Sequence, residues 1–193
     1  MSSFHSITKD REASKFLLKT LDMPDLNVGL ALDLGCGSGS DSLELLRQGW
    51  QVTSIDKSEE GINFLKAQVE DDDSIEIKNT SFEDMKLLKN NYDLIYSRYA
   101  LSFCQKTNWQ SVWKEIKESL KSGGMISMHL FGINDGFKNS KRHGDMTFFS
   151  KDDIKETLKE FKIIFEHEDE HDAKSAVGQM KHWHVFTIVA QKV

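Results

Sequence analysis

A glycine-rich turn between an apolar strand and a helix limits what this chain can fold into more than any other feature. The run Gly35-Cys36-Gly37-Ser38-Gly39 follows a strand-like segment, 29–34, and precedes a helix-like segment that carries Leu43, Leu45 and Leu46. Glycines at such a turn permit positive φ and let a ligand approach the backbone without an intervening Cβ. The amides of the turn and the helix dipole favour a negatively charged ligand group. The run therefore predicts a ligand-binding strand–turn–helix unit.

Two acidic residues accompany the turn. Asp33 lies two residues before Gly35, and Asp56 follows the next strand-like run, 51–55. An acid at the end of the second strand is placed to accept hydrogen bonds from ribose hydroxyls. The spacing differs from the Gly-x-Gly-x-x-Gly fingerprint of dinucleotide-binding domains, and a pyrophosphate would lie beside Asp33. A methionine zwitterion fits better, because its ammonium can use the acid; a nicotinamide dinucleotide and a purely structural turn are the alternatives.

Strand-like and helix-like runs alternate from Gly29 onward, which predicts an α/β domain with a largely parallel sheet. The predicted strands are 29–34, 51–55, 74–78, 92–96, 125–130, 162–165 and 182–191. A first helix is predicted over 10–21, and further helices begin at Ser58, at a Thr107-x-x-Gln110 capping box that Ser122-Gly123-Gly124 would terminate, and at Ser150. The residues 168–181 read as a charged connector.

Composition narrows the class of protein. The chain has 193 residues, a formal net charge of −6 and two cysteines without Cys-x-x-Cys spacing. The length fits one domain over 1–193, and the negative charge argues against nucleic acid as a partner. Neither a secretory signal nor an apolar run of membrane-spanning length is present, so we expect a cytoplasmic protein that has no membrane partner.

The motifs, taken in order, resemble those of class I S-adenosylmethionine-dependent methyltransferases. The matching segments are Ala31–Gly39, Val52–Asp56, Ser81–Asp84, Tyr92–Ser97 and Leu120–Gly124, the last with serine in place of the family's proline. The resemblance covers about residues 29–130. Within the family, the chain is most similar to small stand-alone bacterial enzymes of the tellurite-resistance type. The closing run Lys181–Phe186 is not a feature of that group.

The resemblance implies a Rossmann-like sheet of seven strands in the order 3-2-1-4-5-7-6, with strand 7 antiparallel and helices on both faces. It implies S-adenosyl-L-methionine as the cofactor, a helical cap over 1–27 that places His5 near the site, and a substrate loop over 131–149. The cofactor-binding residues it implies are Asp33, Gly35, Cys36, Gly37, Gly39, Asp56, Lys57, Ser81, Phe82, Glu83 and Ser97.

The expected reaction is in-line transfer of a methyl group to a small-molecule acceptor. Candidate catalytic residues are Arg98, which could bind an anionic acceptor, and His182 and His184, which share one face of the last strand, with Trp183 on the other. The alternatives are a methyltransferase acting on RNA or protein and a non-catalytic cofactor-binding protein. The sequence does not decide between a monomer and a homodimer.

Three further groups of residues bear on the site. In the 131–149 loop, Phe137, Met146, Phe148 and His143 would either close on the acceptor or simply pack. The cluster within 167–171 matches no standard metal site, so no metal is predicted. His129 reads as a core histidine.

Overall fold

The computed structural model describes residues 4–70, 72–140 and 145–193. Its strands are β1 (Leu30–Leu34), β2 (Gln51–Asp56), β3 (Ile75–Asn79), β4 (Tyr92–Ser97), β5 (Leu120–Phe131), β6 (Phe161–Lys174) and β7 (Met180–Lys192). They form one sheet in the order β3-β2-β1-β4-β5-β7-β6. The strands β1 to β5 pair in parallel, whereas β7 is antiparallel to both of its neighbours. The predicted fold class and strand order are confirmed.

Six helices surround the sheet in the described part of the chain. They are α1 (Phe4–Thr8), α2 (Lys15–Leu21), α3 (Ser40–Arg47), α4 (Glu59–Val69), α5 (Trp109–Ser119) and α6 (Lys151–Thr157). No described helix has the length and apolarity needed to span a membrane.

The sheet buries both of its faces, and β1 shows how the sequence arranges this. Leu32 and Leu34 pack in the cluster that holds the α5 and α6 side chains, whereas Ala31 packs with Leu17 of α2 and Leu45 of α3. Side chains of a strand alternate between faces, so a strand buried on both sides reads as a continuous apolar run. The same alternation turns Asp33 toward α3.

The first helix, predicted over 10–21, is confirmed over Lys15–Leu21 but begins later than predicted, because Ser14 is its N-cap. Its hydroxyl accepts a hydrogen bond from the Phe16 amide at 3.1 Å and so caps α2. Its own amide donates to Asp41 at 2.7 Å, which ties the start of α2 to α3. Ser14 therefore separates α1 from α2 as an N-cap.

Two of the other predicted helix starts are confirmed, and one is wrong. Ser58 and Ser150 cap α4 and α6, and Ser150 forms a full capping box with Asp153. The Thr107 box does not form; the N-cap of α5 is Asn108, without a side-chain hydrogen bond. Likewise α5 ends at Ser119, before the predicted glycine stop, because buried Leu120 already pairs with β4.

The charged connector predicted over 168–181 is also wrong. Most of it is strand, and β6 and β7 form a long hairpin whose turn lies at 175–179. Pairing of β7 with β5 ends at Val185, so the hairpin continues beyond the sheet. We call its residues 168–184 the hairpin arm. Alternation places Asp169, His171 and Trp183 on one face of the arm and His182 and His184 on the other.

The segment 131–149 is anchored to the sheet at both ends. The Phe149 amide donates to the Phe131 carbonyl at 2.9 Å, and the Ile133 amide donates to the Phe149 carbonyl at 3.1 Å. A short 3-10 helix, Gly136–Asn139, lies between them. Met146 is buried with Phe131, so it packs rather than facing the solvent. His143 lies outside the described residues.

Candidate functional site

A cleft of about 1840 Å³ opens at the carboxyl ends of β1, β2 and β4. In an open α/β sheet, ligands bind where the strand order reverses, which here is between β1 and β4. The predicted residues that line it are Asp33, Gly35, Cys36, Gly37, Asp56, Lys57, Ser81, Phe82, Glu83, Arg98 and His182. Motifs from separate parts of the sequence are therefore brought to one site.

The amides of the glycine turn are largely engaged within the protein. Gly35 and Cys36 both donate to the Ile55 carbonyl, at 2.7 and 3.1 Å, and the Gly37 amide donates to Asp56 at 2.8 Å. The Gly39 amide donates to the Cys36 carbonyl at 2.9 Å. The turn thus offers a close backbone surface, and these four amides are engaged within the protein.

Helix α4 packs directly on this turn. A Cβ at Gly61 would lie 2.7 Å from the Gly37 carbonyl oxygen, closer than real side chains approach. Asp56 joins the two segments, since its second carboxylate oxygen accepts the Ser58 amide at 2.8 Å. Both oxygens of Asp56 keep lone pairs that can accept further hydrogen bonds. Gly61 was missed at the sequence level, because it stands in an ordinary helical pattern.

Asp33 lies beneath the cleft in a buried polar network. Its side chain accepts a hydrogen bond from Ser42 at 2.6 Å, and Ser54 donates to the same serine at 2.8 Å. Burial, and then the nearby carboxylate of Asp41, raise the pKa of Asp33 to about 7. Such a carboxyl group changes charge near neutral pH and can respond to a cationic ligand group.

Arg98 faces the acids below the glycine turn. Its Nε lies 3.3 Å from Asp41 Oδ2, with the Arg98 side chain about a quarter exposed and that of Asp41 nearly buried. The Arg98 charge opposes the rise in the pKa of both Asp41 and Asp33. Arg98 therefore balances two buried carboxyl groups as well as lining the cleft.

Three predicted site residues lie behind the lining. Gly39, at φ +91°, caps α3 and leaves room for Leu65. Ser97 is fully buried and donates to the Leu34 carbonyl at 2.8 Å, which joins β4 to β1. His184 is buried on the face of the arm that is opposite the cleft. Gly39 and Ser97 thus support the site without facing it.

The segment after β3 forms one side of the cleft. Phe82 lies close to Gly35, and Glu83 accepts the Gln105 amide at 3.0 Å. The Ser81 hydroxyl donates to Asp84 at 2.8 Å. Across the cleft, burial raises the pKa of the Cys36 thiol, and the acids Asp33 and Asp56 raise it further. Cys36 is therefore held as a neutral thiol.

The segment that contains His5 lies beside the glycine turn. Ser38 donates its hydroxyl to the His5 carbonyl at 3.2 Å, and the His5 ring lies beside Gly37 and Gly61. The same segment brings Arg11 to the rim of the cleft.

Aromatic residues surround the other end of the cleft. Tyr99 stacks on His129, with the ring centroids 4.3 Å apart, and it lies 5.6 Å from Trp183 and 6.0 Å from Phe131. Tyr99 has a φ of 55°, which a residue of this type rarely adopts and which the surrounding structure must hold in place. Burial, and then the Arg98 charge, lower the pKa of His129 to about 3, so this imidazole is neutral. The sequence placed Tyr99 beside Arg98 but gave no sign of the stack.

The two faces of the hairpin arm have different histidines. On the cleft face, His171 Nδ1 lies 2.8 Å from Asp169 Oδ2, and both residues line the cleft. On the opposite face, His182 contacts Glu170 and Asp172 at 3.0 and 2.9 Å.

His184 shares that opposite face, where its Nε2 lies 3.0 Å from Glu168 and its Nδ1 accepts the Asn134 amide at 3.2 Å. Both histidines that the sequence offered as catalytic thus direct their rings toward acids on the opposite face of the arm, although His182 also borders the cleft. Among the described residues, no three His, Cys, Asp or Glu side chains are arranged to hold a metal ion.

Comparison with known proteins agrees with this geometry. Residues 31–124 match a family model described as a methyltransferase domain. A Haemophilus influenzae protein named "Probable S-adenosyl-L-methionine-dependent methyltransferase TehB" is 34% identical over 94 residues, which are 48% of this chain and 32% of that protein. YqeM of Bacillus subtilis is 26% identical over 129 residues, 65% of this chain and 50% of that one. The chain thus spans about a third to a half of the length of these relatives.

Solved structures share the fold. The crystal structure of TehB from Haemophilus influenzae has a TM-score of 0.76 at 23% identity and covers 92% of this chain and 61% of that one. A methyltransferase structure from Methanosarcina mazei has a TM-score of 0.69 at 22% identity, and the match covers 95% of this chain and 99% of that one. Motif order, domain match and fold together support a class I S-adenosylmethionine-dependent methyltransferase that resembles TehB.

Proposed function

We propose that the protein transfers a methyl group from S-adenosyl-L-methionine to a small-molecule acceptor by in-line displacement. The observation that carries the proposal is the single cleft that joins the glycine turn and Asp56 at one end to the Tyr99 aromatic cluster at the other. A cofactor at the first end would direct its methyl group toward an acceptor at the second. Holding two reactants in this way can lower the barrier by up to about 7–11 kcal/mol.

The residues present fit the cofactor. Asp56 retains acceptor capacity for ribose hydroxyls, and Ser81, Phe82 and Glu83 would flank the adenine. Asp33 would face the ammonium, and Arg98 would serve the methionine carboxylate rather than an anionic acceptor, because it already lies beside Asp41 and Asp33. The bound sulfonium would supply an activated methyl group.

The acceptor would lie between Tyr99 and the cleft face of the hairpin arm. His171, backed by Asp169, is the group there that could remove a proton from an acceptor that enters protonated. We therefore propose His171 in place of His182 and His184 as the base. The neighbouring loop over 131–149 would complete this end through Phe137.

Charge favours a small acceptor over RNA. The strand β6 beside the cleft carries Glu166, Glu168, Asp169, Glu170 and Asp172 within seven positions, and such a surface would repel phosphates. The Lys141-Arg142 pair that could offset it lies outside the described residues.

The test is methyl transfer from methyl-labelled cofactor to a panel of neutral thiols and phenols, small anions, amines, bulk RNA and protein. Label in small-molecule products alone is expected. Label in RNA or protein alone would refute the small-molecule assignment. Tight cofactor binding without any product would instead identify a non-catalytic binding protein.

A further inference from the structure

A lysine of the chain itself fills an aromatic cage at the acceptor end of the cleft. The Lys181 side chain is 7% exposed. Its ammonium lies 3.6 Å from the ring centroid of Trp183, 4.0 Å from that of Phe137 and 4.6 Å from that of Phe131. Aromatic groups in this arrangement typically bind the cation of a ligand. Here the site is already occupied by a side-chain ammonium.

A buried carboxylate fixes this lysine in the cage. Asp135, whose side chain is fully buried, lies 2.6 Å from the Lys181 ammonium. Its two oxygens also accept the Phe137 amide at 2.9 Å and the His184 amide at 3.2 Å. Burial lowers the pKa of Lys181, and Asp135 opposes that change. A buried ion pair with these additional hydrogen bonds is costly to separate, so the lysine is a fixed occupant.

The cage is also a wall of the cleft. Phe131, Phe137 and Trp183 all line the cleft, and the Trp183 ring lies 5.6 Å from Tyr99. An acceptor stacked on Tyr99 would therefore contact aromatic rings that already bind the Lys181 ammonium through their negative faces. A second cation there would gain little from the rings and would be repelled by Lys181.

We infer that Lys181 selects the acceptor class: the cleft takes a neutral or anionic methyl acceptor and excludes an ammonium group from its aromatic end. This inference rests on the proposed function, because it concerns the acceptor of that reaction. It names a specificity-determining residue that acts by filling a cation site.

The test compares two probes of similar size, n-butylammonium and n-butanol, by the fluorescence of Trp183. The other tryptophans, Trp50, Trp109 and Trp113, are buried, and Trp183→Phe identifies the signal. Wild-type protein is expected to respond to neither probe. Lys181→Ala is expected to bind n-butylammonium at least about tenfold more tightly than n-butanol, because the probe restores the missing ammonium.

A second variant checks the role of the carboxylate. Lys181→Ala combined with Asp135→Asn is expected to lose the preference for n-butylammonium. If Lys181→Ala is unstable, n-butylammonium but not n-butanol is expected to raise its melting temperature. Equal effects of the two probes, or no effect of either, would overturn the inference, as would a wild-type response to n-butylammonium or methylation of amine cations by wild-type protein.

Cofactor binding is measured in the same samples. A charge-selective response of Lys181→Ala in a protein that binds no S-adenosylmethionine would leave the cation cage standing and refute the proposed function instead.

Discussion

The ring of Tyr99 stacks on the imidazole of His129, with centroids 4.3 Å apart and planes inclined by 8°. Tyr99 lies two residues after β4 and His129 lies within β5, so the stack forms only when the sheet is assembled. Tyr99 is 40% exposed, whereas His129 is buried. The buried imidazole thus supports a tyrosine ring that faces the cleft.

Replacing Tyr99 with alanine should lower kcat/KM for the acceptor about tenfold, because an aromatic pair is worth about 0.5–1.5 kcal/mol beyond burial. Cofactor affinity should stay near the wild-type value. Tyr99→Phe retains the ring and should keep most of the activity. Steady-state kinetics with the acceptor varied would check this, and equal losses in both variants would show that the hydroxyl, not the stack, matters.

Cofactor affinity should depend on the charge of Asp33. Its pKa is raised to about 7, so this carboxyl is largely protonated at pH 6 and largely ionised at pH 8. If the ionised form pairs with the cofactor ammonium, binding should tighten as pH rises from 6 to 8. The slope should not exceed tenfold per pH unit for a single group. Calorimetry across this range should show the rise in wild-type protein and a flat, weaker profile in Asp33→Asn.

The same group has the opposite effect on folding. Because the folded pKa lies above the ordinary value of 3.8, the folded state holds a proton that the unfolded state has released between about pH 4 and 7. The contribution of Asp33 to the free energy of unfolding therefore falls as pH rises through that window. Chemical denaturation should show a shallower decline in Asp33→Asn, and an unchanged pH profile would contradict the raised pKa.

The two faces of the hairpin arm provide a matched comparison. His171→Gln, on the cleft face, should lower kcat by about 10²–10⁴-fold for an acceptor that must lose a proton. His182 also borders the cleft, but its ring is engaged by Glu170 and Asp172 on the opposite face. His182→Gln removes a histidine of similar exposure and should therefore leave kcat nearly unchanged. Equal kinetics in the two variants would exclude His171 as the base.

Gly61 should be needed for the shape of the glycine turn. A Cβ at this position would lie 2.7 Å from the Gly37 carbonyl oxygen and 3.0 Å from His5 Nδ1. Gly61→Ala should therefore displace α4 and cost about 1–3 kcal/mol of stability, as overpacking commonly does. Cofactor affinity should weaken together with stability. A stable variant with wild-type affinity would show that the contact between α4 and the turn is easily relaxed.

The parts of the fold that the sequence predicted are those with strong local patterns. The strand order followed from the family resemblance, and β1 was visible because it is apolar on both faces. The hairpin arm was missed because its residues 168–172 include no apolar side chain on either face. A strand without apolar side chains has no hydrophobic periodicity by which the sequence could reveal it. Its pairing with β7 is a tertiary contact.

The cofactor end could be predicted better than the acceptor end for a similar reason. Gly35 and Asp56 belong to short motifs with fixed spacing, whereas the acceptor end combines Tyr99, His129 and Lys181 from separate parts of the chain. The sequence placed His182 and His184 on one face of a strand but could not show which face meets the cleft. That choice depends on the register of β6 against β7.

The central claim is that the cleft binds S-adenosylmethionine through Asp56. Isothermal titration of S-adenosylmethionine and its demethylated product into wild-type protein and Asp56→Ala tests it most directly. One site per chain is expected in wild-type protein, and Asp56→Ala should bind about 10–100-fold more weakly, since hydrogen bonds to a charged group are worth about 1.5–3 kcal/mol. Absence of binding to folded wild-type protein, or equal affinity in the two proteins, would contradict the account.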